Sequence, residues 1–223
     1  MLQLVIGNKN YSSWSMRPWV LMRQFGIAFD EIKLRFDFSP DSDFYRELAR
    51  HTPAAKVPVL RVDGFAVWDT LAIAETLAER HPDLPLWPRN ALQRARARSL
   101  CAEMHAGFGA LRQHFPMNIE ASLPAVGVRV MAEQPAVRAD LVRIESMWAQ
   151  QLDASGGPFL FGDFSIADAM YAPVAFRFAT YGVALGPVEA AYVESLRRLP
   201  AMAEWADAAA AETEVEERYE VGR

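Results

Sequence analysis

Ser12 and Ser13 open an apolar helical pattern, SSWSMRPWVLMRQFG, and a serine hydroxyl at such a position can donate a hydrogen bond to a thiolate. The partial positive charge of a helix N-terminus works in the same direction, and the two together bring a thiol from a pKa of about 8.5 towards neutrality. Plain N-capping is the competing role for these serines. Arg17, further along the same pattern, either supports the site electrostatically or forms a surface or inter-domain ion pair. A second group of polar residues lies in TPAAKVPVLRVDGFAVWDTLAIAETLAER. Val57 precedes Pro58, and X-Pro is the bond that takes the cis form at modest cost, so Val57 keeps an extended N–H and C=O for a peptide-like ligand. Asp69 and Thr70 open the next helix, where unpaired N–H groups also favour an anion. The combination reads as a cradle for a small peptide that carries carboxylates.

Metal chemistry has little to build on. No two of the four histidines combine with a carboxylate at ligand spacing. His81 and His114 read as loop or helix-end residues. The single cysteine, Cys101, lies in an apolar helical context and reads as core packing, which excludes an internal disulfide and any CxxC pattern.

These residues need elements to hold them. Residues 2–6 read as a buried strand ending at Gly7, and residues 8–11 as a polar loop. A helix follows, with Pro18 in its first turn and Gly26 as its stop. Residues 29–36 read as a strand and 42–50 as a short helix. Asp63-Gly64 between two apolar runs then marks a hairpin, and Leu71, Ile73, Ala74, Leu77 and Ala78 give a third helix one apolar face. Strand, helix, strand, helix, strand, strand, helix is the order of a thioredoxin-like α/β layer. The proline-rich HPDLPLWPRN reads as a linker, giving a first domain over 1–81, a linker over 82–90 and an all-α helical bundle over 91–223. Helices are expected over 91–113, 135–151, 188–199 and 201–214, with a further one in GDFSIADAMYAPVAFRF. In that last stretch Ser165 and Asp168 form a structural capping box, with Asp in place of the commoner Glu or Gln.

With these motifs in hand, the chain resembles the cytosolic glutathione transferase family, and the resemblance extends over nearly its whole length. KVPVL, the hairpin, and an acid-hydroxyl pair before LAIAETL resemble the family's glutathione site, and FSIADA its structural helix motif. The resemblance implies that Val57, before cis-Pro58, pairs with the cysteinyl backbone of glutathione. It implies also that Asp69 and Thr70 bind the γ-glutamyl end and that Lys56 reaches the glycyl carboxylate. No lysine matches the family's other position for that carboxylate, and Arg46, Arg50 and His51 are the possible substitutes. SSWSMRPWVL is similar to the serine-type signature of the zeta, tau and phi classes, which puts the sulfur-facing role on Ser12, with Ser13 the near alternative and Arg17 the matching arginine. Trp14 stands where zeta enzymes carry cysteine, a departure that weakens a maleylacetoacetate isomerase reading without removing it as an alternative, and that argues against the cysteine-type classes. Trp14, Met104, His105 and Phe108 are the candidates to line the electrophile pocket.

The activity this implies is conjugation of the glutathione thiolate to a hydrophobic electrophile. The alternatives are a glutathione-dependent isomerase or dehalogenase, or a non-catalytic binding or regulatory protein of the same fold. Glutathione is the expected co-substrate, with no metal, and a homodimer is the expected assembly. A net charge of -5 argues against nucleic acid as a partner. No stretch approaches the roughly 20 apolar residues of a membrane span, and the N-terminus lacks a signal-peptide pattern, so the expected location is the cytoplasm.

Overall fold

The computed structural model describes residues 1–222. Its first part holds β1 (Leu2–Ile6), α1 (Ser13–Gln24), β2 (Asp30–Lys33), α2 (Asp43–Leu48), β3 (Val59–Val62), β4 (Phe65–Trp68) and α3 (Thr70–Arg80). The sheet order is β2-β1-β3-β4, with β1 parallel to β2 and β3 antiparallel to both β1 and β4. Because β1 lies between β2 and β3 with both faces covered, Leu4, Val5 and Ile6 are apolar on both sides and fully buried. Leu4 and Ile6 face the core shared with Met16, Trp19, Leu60 and Ile73, while Val5 faces Leu34, Phe44, Leu48 and Val59 on the other side. The thioredoxin-like order is as expected.

Several boundaries differ for local reasons. β2 is shorter than residues 29–36 because β1 is its sole partner and ends first; beyond it, Phe36 N–H donates to Asn8 Oδ1 at 2.7 Å. Gly7 permits that close packing, since a Cβ there would lie 2.2 Å from the Phe36 ring. Pro18 lies inside α1 and not in its first turn, so the Trp14 carbonyl goes without its i+4 donor. The hairpin turns through Asp63 (φ 50°) and Gly64 (φ 89°), the paired positive values of a type I′ turn.

The rest of the chain is helical: α4 (Ala91–Ala106), α5 (Gly109–His114), α6 (Pro124–Glu133), α7 (Pro135–Ser155), α8 (Ile166–Tyr181), α9 (Pro187–Arg197) and α10 (Pro200–Ala210). The expected helix over 91–113 is broken at Gly107 and Phe108, the latter at φ 54°. α6 carries a glycine and β-branched residues, poor helix formers, and was not expected. Its Gly127 crosses α8 so closely that a Cβ would lie 1.8 Å from the Tyr181 carbonyl oxygen. Gly127→Ala is therefore expected to destabilise the protein by about 1–3 kcal/mol, measured by urea unfolding.

α8 is the hub, packed against α1, α4, α6 and α9 and apolar around almost its whole circumference. Buried Asp168 accepts from Ser165 N–H (2.9 Å) and Ser165 hydroxyl (3.0 Å) through one oxygen, and from Leu160 N–H (3.0 Å) and Tyr192 hydroxyl (3.0 Å) through the other. The capping box thus also ties the preceding loop and α9 to α8.

Candidate active site

The loop over residues 7–13 is polar yet buried, which is tolerable because most of its polar groups are paired, Asn8 Nδ2 excepted. Asn10 Oδ1 takes the N–H groups of Ile119 (2.7 Å) and Glu120 (3.1 Å), and Asn10 Nδ2 donates to Asn118 Oδ1 at 3.0 Å. The carboxylate of Glu212, beyond α10, accepts from Lys9 N–H at 2.8 Å and Asn10 N–H at 3.2 Å. Helical part and C-terminal tail therefore hold the loop that carries the two serines.

Ser12 sits at the N-cap of α1, but its hydroxyl caps nothing; it donates to Ser15 Oγ at 2.7 Å, which also accepts Gly7 N–H at 3.2 Å. Ser13 Oγ accepts from the buried Arg177 guanidinium at 3.1 Å, leaving its own proton for another acceptor. Tyr11, beside them, donates to Glu220 at 2.7 Å, and burial first, then that carboxylate, raises its pKa.

Val57-Pro58 is cis, and among the described residues no backbone hydrogen bond engages the amide or carbonyl of Val57. Asp69 takes φ 72°, a left-handed value that costs a non-glycine residue about 1–3 kcal/mol and is met most often at functional sites. Its carboxylate caps α3 through Leu71 N–H at 3.1 Å and meets His105 Nε2 at 3.3 Å. Thr70 is buried beside it.

These residues converge on one cleft of about 630 Å³. Ser12, Ser13, Trp14, Lys56, Val57, Pro58, Asp69, Thr70 and His105 all line it. Met104 and Phe108 do not: both are buried in the core, Phe108 because the helix breaks there, so the expected pocket wall loses them. Arg17 is also off the surface of the cleft. It lies behind Trp14, its Cζ 4.0 Å from the ring centroid, and donates Nε to the Met170 carbonyl at 2.9 Å. Neither expected alternative fits it fully, since no carboxylate pairs with it among the described residues. Burial, then Arg177 and Arg112, lowers its pKa to about 9, still charged at neutral pH. Arg46 and Arg50 pair with Asp43 and Glu47, His51 Nε2 lies 3.5 Å from Glu47, and none of the three reaches the cleft.

Residues that sequence reasoning missed complete the wall. Arg112 from α5 and Arg177 from α8 reach it, and burial lowers the pKa of Arg177 to about 10. Arg218 and Tyr219 come from the tail. Among the described lining residues, Asp69 is the sole carboxylate, so the cleft is strongly cationic. FRF at 176–178 and LRQ at 111–113 carry no local signal of this; only helix packing brings them to the site.

The family profile for the glutathione S-transferase N-terminal domain matches residues 11–80, and that for the C-terminal domain residues 89–208. The chain belongs to the glutathione S-transferase family. Within it, this transferase is 31% identical over 175 residues to a probable maleylacetoacetate isomerase of Caenorhabditis elegans, covering 78% of each chain. It is 26% identical over 179 residues to a maleylacetoacetate isomerase of Rattus norvegicus, covering 79% of this chain and 78% of that one. Among solved structures it resembles a glutathione transferase homolog from Burkholderia GL BGR1 with bound glutathione, at a TM-score of 0.71 and 21% identity over 95% of this chain and 99% of that one. A maleyl pyruvate isomerase, a bacterial glutathione transferase in the zeta class, gives 0.69 and 22% over 96% and 100%. The relatives of this chain thus include proteins named as maleylacetoacetate isomerases, alongside the tryptophan at position 14.

Proposed function

We propose that this protein binds glutathione in the cationic cleft, holds its sulfur as a thiolate with the Ser12 hydroxyl, and uses it to isomerise a carboxylate-bearing, maleyl-type alkene. The observation that carries the choice of substrate is the pair of guanidinium groups, Arg112 and Arg177, on the wall of a cleft with one carboxylate among its described lining residues. A purely hydrophobic electrophile would leave that charge unmatched. The names of the relatives point to the same substrate class.

Glutathione lies along Val57, with its γ-glutamyl end at Asp69 and Thr70. To reach the sulfur, the Ser12 proton turns from Ser15, whose own hydroxyl can then donate back to Ser12 and polarise it. The thiolate adds to one alkene carbon, and the π electrons move onto the conjugated carbonyl oxygen, where arginine stabilises the enolate. The former double bond rotates as a single bond. Collapse of the enolate then expels the thiolate and leaves the trans alkene, so glutathione is not consumed.

Conjugation shares the first step, and the aromatic residues Phe36, Phe38 and Tyr219 on the wall favour it as the second reading. Incubating the protein with glutathione and a maleyl-type keto acid separates the two. Isomerisation predicts a trans product with the glutathione concentration unchanged; one thioether formed per glutathione lost would overturn it. The reading includes a reducing, cytoplasmic setting and a homodimer.

A further inference from the structure

Beyond α10 the chain turns back over the site. Glu212 is pinned by the Lys9 and Asn10 amides and by Lys33 Nζ at 3.1 Å. Tyr219 stacks on Tyr11 with ring centroids 5.3 Å apart, and Glu220 accepts from Tyr11 hydroxyl at 2.7 Å and Asn118 Nδ2 at 3.1 Å. A single 3₁₀ turn, Glu217–Tyr219, lies between these anchors and presents Arg218 to the cleft. The Arg218 guanidinium rests 3.5 Å over the Phe38 ring, on the loop between β2 and α2, and its Nε meets Glu216 at 3.2 Å. That pairing leaves the forked terminal nitrogens for a carboxylate.

The β3–β4 register pairs Val59 with Trp68, which puts Pro58 beside Asp69. A tripeptide with its γ-glutamyl end at Asp69 and Thr70 and its middle on Val57 sends its glycyl carboxylate away from Asp69. On that side the lining residues include Ala54, Ala55, Lys56, Phe38 and Tyr45. The other lining arginines stand at the serine end of the cleft: Arg112 Cζ lies 5.6 Å from the Trp14 ring centroid and Arg177 donates to Ser13 Oγ at 3.1 Å. Lys56 and Arg218 remain.

We infer that Arg218, carried in by the C-terminal tail, binds the glycyl carboxylate of glutathione together with Lys56, in the place where the α/β layer lines the cleft with no second lysine. The inference rests on the glutathione reading above. Its test is calorimetric titration of the full chain and of Arg218→Met, which keeps an apolar stem over Phe38, with glutathione and with γ-glutamylcysteine, which lacks the glycine. Arg218→Met is expected to bind glutathione about 10-fold more weakly or worse, the effect of losing one charge-assisted contact, and γ-glutamylcysteine as the parent does. Equal weakening towards both ligands would assign Arg218 a structural role in the tail and overturn the inference, as would unchanged glutathione affinity. Failure of the parent itself to take up glutathione would remove the underlying reading as well, and the two failures are thereby distinct.

Discussion

Ser12→Ala is expected to lower turnover at neutral pH by about 10- to 100-fold while the KM for glutathione changes little. The size follows from the interaction removed: a hydrogen bond to a charged group is worth about 1.5–3 kcal/mol, and each 1.4 kcal/mol is tenfold in rate. KM is spared because Val57, Asp69 and Thr70, not Ser12, supply the ground-state contacts. The loss should shrink as the pH rises, since excess base restores the thiolate that the missing hydroxyl no longer favours. Ser13→Ala is the matched control, its hydroxyl standing on the same wall 3.1 Å from Arg177. A pH-rate profile unchanged in both variants would refute the serine mechanism; a shift in Ser13→Ala alone would move the role by one residue.

Asp168→Asn should be the most damaging substitution to stability. The carboxylate holds four donors, two on each oxygen, and an asparagine can accept at one oxygen only, so its amide nitrogen would face the other two. Leaving two buried donors unpaired costs about 3 kcal/mol or more, or roughly 10 °C in Tm for a chain of this size. Burial raises the Asp168 pKa to about 6, against the pull of its four donors. A folded-state pKa above the unfolded value of about 3.9 favours the protonated form in the fold. Its stabilising contribution is thus fully present below the unfolded pKa and is lost as pH rises through about 6. Asp168→Asn should lack that slope in thermal melts taken from pH 4 to 6.5; an identical slope would show that another group carries it.

How much of this was legible in the sequence depended on whether the chemistry was local. The cis bend at Val57-Pro58, the Asp63-Gly64 turn and the Ser165/Asp168 box are each set by neighbours within a few residues, and each is where its residue types place it. Residues fixed by long-range packing were not legible. Arg177 faces the serines because α8 crosses α1, and Arg112 because the chain breaks at Phe108 and restarts as α5. The same break withdrew Phe108 from the pocket. The tail read as a continuing alanine-rich helix to residue 214, yet α10 ends at Ala210. Glu212 bonding to Lys9 and Asn10, two hundred residues away, could not be foreseen from either segment alone. That is why the electrophile pocket was expected to be hydrophobic and Arg112, Arg177 and Arg218 were missed.

The central claim, that this cleft takes up glutathione and holds its sulfur ionised, is tested most directly by the ultraviolet thiolate absorbance of glutathione bound to the unmodified protein, followed against pH. The account predicts a bound thiol titrating well below its free value of about 8.5, towards neutrality. A bound thiol that titrates as it does in free solution would contradict it.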